Sequence, residues 1–121
     1  MALTYLPAAQ ANAAVKAMFS TATPTFTDWC STTPGLTGAN TIVGFTPKST
    51  SWTAAVTGKT HNAATPTWTT APACTIKYFA EFNNATKTIY LGGGATTATI
   101  TVPAGSKVSV AVGGITIAVQ G

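Results

Sequence analysis

Acid–base chemistry in this chain would have to come from Asp28, Glu81 and His61, with Cys30 and Cys74 as the only thiols. Glycoside hydrolysis takes two carboxyl groups, one giving a proton and the other attacking or activating water. Asp28 and Glu81 fall on separate expected strands, and no motif brings them together. A Cys–His–Asp relay can be written on paper from Cys30 or Cys74 with His61 and Asp28, but any chain with these residue types allows that. Cys30, His61 and Cys74 also lack the spacing of a structural zinc site, which takes about four ligands. His61, beside Asn62 in an expected turn, reads as an exposed polar residue. The expectation is a non-enzymatic protein with no catalytic residue, no cofactor and no metal.

Two other features invite a ligand. Gly92-Gly93-Gly94 is the one glycine run. A phosphate loop needs a following Lys and a helix, and here a strand follows. The run reads as a bulge or a close backbone approach at a strand end. Trp29, Trp52 and Trp68 offer rings for stacking on a sugar. Each sits among Thr or Ser on an alternating stretch, which favours burial for at least two of them.

The elements that must carry these groups are strands. Residues 73–121 read as five alternating runs, because successive side chains of a strand point to opposite faces. In the first, Cys74, Ile76, Tyr78, Ala80 and Phe82 share a face, with Thr75, Lys77, Phe79 and Glu81 opposite. Ile89 and Leu91 mark the second, Ala98, Ile100 and Val102 the third. Val108, Val110 and Val112 mark the fourth, Ile115, Ile117 and Val119 the fifth. Asn83-Asn84 and Pro103-Ala104-Gly105-Ser106 read as turns. Gly113-Gly114 suits a two-residue hairpin between the last two runs.

Upstream, Ala8 to Phe19 reads as a short Ala-rich helix after Pro7, with Leu6, Val15, Met18 and Phe19 as its packed stripe. Its partner is the chain's own sheet or a neighbouring subunit. Thr25–Cys30, Thr41–Phe45, Ser49–Thr57, Lys59–Ala63 and the Pro-bracketed Thr67–Thr69 read as strands, with Gly58-Lys59 as a hairpin turn. Thr33–Asn40 reads as a loop. Eight to ten short strands at regular spacing predict a mainly β fold. We expect a single-domain antiparallel β-sandwich or jelly-roll-like fold over 25–121, preceded by a lead and one short N-terminal helix over 1–24.

Composition bounds the partners. Only 7% of residues are charged, and six Lys outnumber two acids with no Arg, for a net charge of +4. The lysines are scattered, whereas nucleic-acid binders gather Arg and Lys on one face, so no nucleic acid is expected. No apolar run approaches the ~20 residues of a membrane-spanning helix. The N-terminus lacks the basic start of a secretory signal, so synthesis in a cytoplasm is expected. Cys30 and Cys74 then read as free thiols, with a disulfide between them as the alternative. So few charges suit a protein held in an assembly.

The order of motifs resembles a family. A short N-terminal helix precedes Pro34-Gly35-Leu36-Thr37-Gly38-Ala39-Asn40, then Ser51-Trp52-Thr53-Ala54-Ala55 with Gly58. Leu91-Gly92-Gly93-Gly94-Ala95, Val102-Pro103-Ala104-Gly105 and a final alternating pair follow. This is similar to the small β-sandwich virion proteins of actinobacterial tailed phages, labelled tail fibre, minor structural or head decoration protein. The chain departs from that pattern at Trp29-Cys30, where a Leu-His-Thr-like run is common, and at Tyr78–Phe82, which lacks the Trp often seen there. The resemblance implies a virion protein assembled in the host cytoplasm. As a capsid decoration protein it would bind the major capsid protein and copies of itself as a trimer. The contact candidates are Pro34, Gly35, Leu36, Thr37, Gly38 and Asn40 of the loop, and Val15, Met18 and Phe19 of the helix, because loops carry function on β scaffolds. As a tail fibre or minor tail protein it would read host glycans through Trp29, Trp52 and Trp68, relying on avidity.

Overall fold

The computed structural model describes residues 19, 24–54, 56 and 59–118. They form a mainly β, antiparallel structure with no helix among the described residues. The expected helix over Ala8–Phe19, with Val15 and Met18, lies outside them except for Phe19. Eight strands appear: β1 (Thr25–Cys30), β2 (Lys48–Thr50), β3 (Lys59–His61), β4 (Thr67–Trp68), β5 (Cys74–Phe82), β6 (Tyr90–Val102), β7 (Val108–Ser109) and β8 (Thr116–Ala118). They make one four-stranded sheet, β2-β1-β5-β6, and two ribbons, β3-β8 and β4-β7.

The chain divides into two compact units. One gathers the described residues of Met1–Pro24, Thr50–Thr65 and Val110–Gly121; the other gathers Thr25–Ser49 and Pro66–Ser109. In the first, Val56 and Lys59 exchange both backbone hydrogen bonds, at 2.8 and 3.0 Å, while Gly58 of the expected Gly58-Lys59 turn lies outside the described residues. Lys59–His61 then pairs with Thr116–Ala118, so His61 stands on a strand and not in a turn. Phe19 is buried edge-on against Trp52, with centroids 5.2 Å apart.

In the second unit β5 is the central strand. Phe26 faces Phe82, Asp28 faces Ala80 and Cys30 faces Tyr78 across β1. Alternation therefore puts Asp28, Cys30, Ala80 and Phe82 on one face, and Thr25, Thr27, Trp29, Phe79 and Glu81 on the other. Both faces are buried over Phe79–Phe82, which alternation alone does not reveal. Trp29 packs edge-on against Trp68 at 5.3 Å, and Trp68 against Phe45 at 6.2 Å. The Trp68 indole donates to the Thr46 carbonyl at 2.7 Å.

Four expectations are corrected. The second and third runs of the C-terminal half are one 13-residue strand, β6, which carries the glycines within it; the expected bulge is there, because the ladder slips from Glu81 with Gly92 to Phe82 with Tyr90 and skips Leu91. Thr41–Phe45 is not a strand: Thr41 makes a single bridge to Cys30, and the chain then turns at Val43-Gly44. Strand structure resumes only at Lys48 and is reduced to Lys48–Thr50. Gly113-Gly114 does not join a hairpin, because β7 pairs with β4 and β8 with β3.

The glycine run lets β6 lie close on β5. A Cβ on Gly93 would stand 2.3 Å from the Phe79 carbonyl oxygen and 3.1 Å from the Pro34 ring. Backbone cannot give way as a flexible side chain can. Gly93→Ala is expected to lower unfolding free energy by about 2–3 kcal/mol, the scale of overpacking a tight site. Urea denaturation checks this, and an unchanged midpoint would mean the strands separate freely here.

Candidate partner-binding loops

The residues that sequence reading singled out in Pro34–Asn40 form a constructed loop. Gly38 and Ala39 donate backbone hydrogen bonds to the Pro34 carbonyl at 3.0 and 3.2 Å. Gly35 N–H donates to the Thr33 hydroxyl at 3.2 Å, and the Asn40 amide to the Thr33 carbonyl at 3.0 Å. Asn40 takes a left-handed conformation (φ 69°), which Asn tolerates better than most residues. Gly38 does so at φ 73°, where an added Cβ would lie 2.6 Å from the Tyr90 ring. Only glycine meets both demands. Pro34 is buried and Gly38 half-buried, while Gly35, Leu36, Thr37 and Asn40 are exposed. Leu36 is 98% exposed.

A second loop stands beside it. The turn after β5 is built by Asn83 and Asn84, as the sequence implied. Asn84 Oδ1 accepts from the Thr86 and Thr88 N–H groups at 3.1 and 3.2 Å, and Asn83 Oδ1 accepts from Ile89 N–H at 2.8 Å. Two bonds tie this turn to the first loop. The Tyr90 hydroxyl donates to the Gly35 carbonyl at 3.2 Å. Lys87 Nζ donates to the Thr41 hydroxyl at 2.9 Å and sits 3.5 Å from Asp28 Oδ2. Together the two segments expose Leu36, Val43 (92%) and Ile89 (55%). Beneath them lies a buried cluster of Cys30, Ala80 and Phe82, with Tyr78 and Tyr90 packed against it.

The two acids and Cys30 each have a structural neighbour. Asp28 is fully buried; burial raises its carboxyl above its ordinary range, opposed by the Trp29 N–H and by Lys87. Burial, with the Asp28 charge adding to it, pushes the Cys30 thiol up to about 11, so at neutral pH it is not a thiolate nucleophile. Glu81 lies on the opposite face of the sheet. Its carboxyl is fully buried, takes hydrogen bonds from Thr25 at 2.7 Å and Thr27 at 2.8 Å, and is pushed up to about 7. The two acids do stand on neighbouring strands, but back to back. Cys30 and Cys74 are free.

The other sequence candidates are placed differently. Phe19 is buried within its own unit and offers no surface to a partner. Trp29, Trp52 and Trp68 are all buried, so none presents a ring face to a sugar; the large apolar rings fill the interior. His61 is exposed and lines an open groove of about 220 Å³ with Lys59, Val56 and Thr116. The nearby hydroxyl of Thr60 is already satisfied, donating to the Thr53 carbonyl at 2.6 Å. Among the described residues no cluster of His, Cys, Asp and Glu could hold a metal ion.

Sequence reading missed two residues. Lys87, read only as one of the scattered lysines, is the bridge between the loops. Asn62 was noticed only as the neighbour of His61. It is fully buried and makes three side-chain hydrogen bonds, to Ala64, Ala111 and Ile115. A lone Asn between Ala- and Thr-rich stretches gives no sequence signal of such a role. No protein-family model matches the chain, and no curated protein matches it.

Proposed function

We propose that this chain is a non-enzymatic structural protein of a phage virion, a β-sandwich that decorates the outer capsid shell and docks through the 33–43 and 83–89 loops. One observation carries the docking part: Leu36 is almost wholly exposed at the tip of a loop that hydrogen bonds hold in one shape. An apolar side chain held out on a pre-ordered loop reaches its partner without a further ordering cost. The capsid, as the partner, comes from the resemblance in sequence order described above. The sandwich reading draws on the antiparallel sheets and on Trp68 of β4 packing against Trp29 of β1.

Immunogold labelling of intact virions tests the location. Label spread over the head supports decoration; label at the tail end transfers the reading to a tail protein, and unlabelled particles remove both. Leu36→Asp tests the docking surface. It is expected to weaken binding to capsids lacking the protein about thirtyfold, the equivalent of the ~2 kcal/mol that burying a leucine contributes. Its melting temperature should match the wild type, because Leu36 packs on nothing in its own fold. Undiminished binding would exclude the loop from the interface.

A further inference from the structure

The sequence contains only two acidic side chains, Asp28 and Glu81, and both are completely buried. The solvent surface therefore carries no side-chain carboxylate. It does carry lysines: Lys48 on β2, Lys59 on β3, Lys77 on β5, Lys87 in the turn after β5 and Lys107 before β7 are all exposed. Lys87 is paired with Asp28. Side-chain charge on the outside thus has a single sign, spread over several elements.

We infer that the unit carrying Leu36, Lys48, Lys77, Lys87 and Lys107 docks on an acidic protein surface, one rich in exposed Asp and Glu, with Leu36 as the apolar anchor. This rests on the reading that the chain is mounted on a larger assembly. Complementary charge steers association and suppresses wrong partners. Another copy of this chain is the wrong partner electrostatically: it brings lysines to meet lysines and no side-chain carboxylate to receive them. Contacts between copies must then be apolar or hydrogen-bonded. A protein partner suits the surface better than nucleic acid. Arg is absent, the lysines share no element, and the three Trp that might stack on bases are buried.

Carbodiimide cross-linking tests this directly. The reagent activates a carboxylate, and a touching lysine amine displaces it to leave an amide with no added atoms. On virions shown by blotting to carry the protein, mass spectrometry should find Lys48, Lys77 or Lys107 joined to Asp or Glu of a different protein. Binding to particles should weaken at least about tenfold between 0.05 and 0.5 M NaCl, as charges across an interface are screened. Homotypic links through Asp28 or Glu81, or no heterotypic link on particles that carry the protein, would overturn the inference and leave the virion reading intact. Particles without the protein would remove the virion reading instead. The purified chain is then offered to immobilised poly-glutamate, double-stranded DNA and anionic vesicles. Preference for poly-glutamate sustains the inference; equal or tighter retention on DNA or lipid overturns it.

Discussion

Replacing Asn62 with Ala lowers the unfolding free energy by about 3–5 kcal/mol, read as a shift of the urea midpoint. The side-chain amide donates to the Ala64 carbonyl at 2.8 Å and to the Ala111 carbonyl at 2.9 Å. Its oxygen accepts the Ile115 N–H at 2.8 Å. The Asn62 backbone adds a bond from its N–H to the Ile115 carbonyl and one from Gly113 to its own carbonyl, both at 3.1 Å. One buried residue thus holds the 111–115 segment that leads into β8. Truncation leaves a donor and two acceptors without their partner, and each such buried group costs about 1–3 kcal/mol. Asn62→Asp should be no milder at neutral pH, since a carboxylate cannot donate to two carbonyls. A loss below about 1 kcal/mol would mean that other contacts hold this segment.

Stability should fall as pH rises from 4.5 to 7, by about 3 kcal/mol, and Glu81→Gln should remove most of that fall. Burial raises the Glu81 carboxyl from 4.5 to about 7, with the Thr25 and Thr27 hydroxyls opposing it. Below pH 4.5 both the folded and unfolded chains hold the proton, so stability is at its fullest. Between 4.5 and 7 the unfolded chain releases the proton while the folded one keeps it. Each pH unit then takes away about 1.4 kcal/mol, and the loss levels off above 7. Asp28, also raised by burial, contributes a slope of the same sign. Gln has nearly the shape of the protonated acid and can still exchange hydrogen bonds with Thr25 and Thr27. At pH 8 the Gln variant should therefore be more stable than the wild type by about 3 kcal/mol, and at pH 4 nearly equal to it. Thermal melts from pH 4 to 8 check both chains. A wild-type profile that rises across this range would show Glu81 to be charged and paired in the folded state.

Strands were legible where local pattern and tertiary environment agreed. Ala73–Phe82 was read almost to the residue as Cys74–Phe82, because alternation there coincides with a real ladder on both sides. Asn83-Asn84, Pro103–Ser106 and the 33–40 loop were legible because Asn, Pro and Gly act on the backbone nearest to them. The partners of a strand are set by distant residues, and that is where the reading stopped. Val108–Val112 and Ile115–Val119 have the pattern of a hairpin, yet Asn62 holds the segment between them, and β7 pairs with β4 while β8 pairs with β3. The burial of Glu81 was not legible, because alternation reveals two faces without saying that both are covered. Of the partner candidates, the 33–40 loop is exposed and built as a unit. Phe19 and the Trp residues went inward, because large apolar rings gain more from burial than any local pattern records. Lys87 could not be found from sequence, since its role depends on Asp28 and Thr41, each more than forty residues away.

One residue of β5, Lys77, stands opposite four of β6, Thr96–Thr99, because the ladder steps from Ile76 with Ile100 to Tyr78 with Ala95. The Thr96 hydroxyl closes the excursion, lying 3.1 Å from the Lys77 carbonyl and 2.7 Å from that of Ala98. Within the regular ladder of Gly92–Ala95 a gained or lost residue would turn every later side chain to the opposite face. Within Thr97–Thr99 the extra chain already stands outside the ladder, so an insertion lengthens the excursion and leaves the pairing on either side in register. This short segment is where the gene can change length without changing the fold, and where an epitope or a fused domain can be carried on the strand.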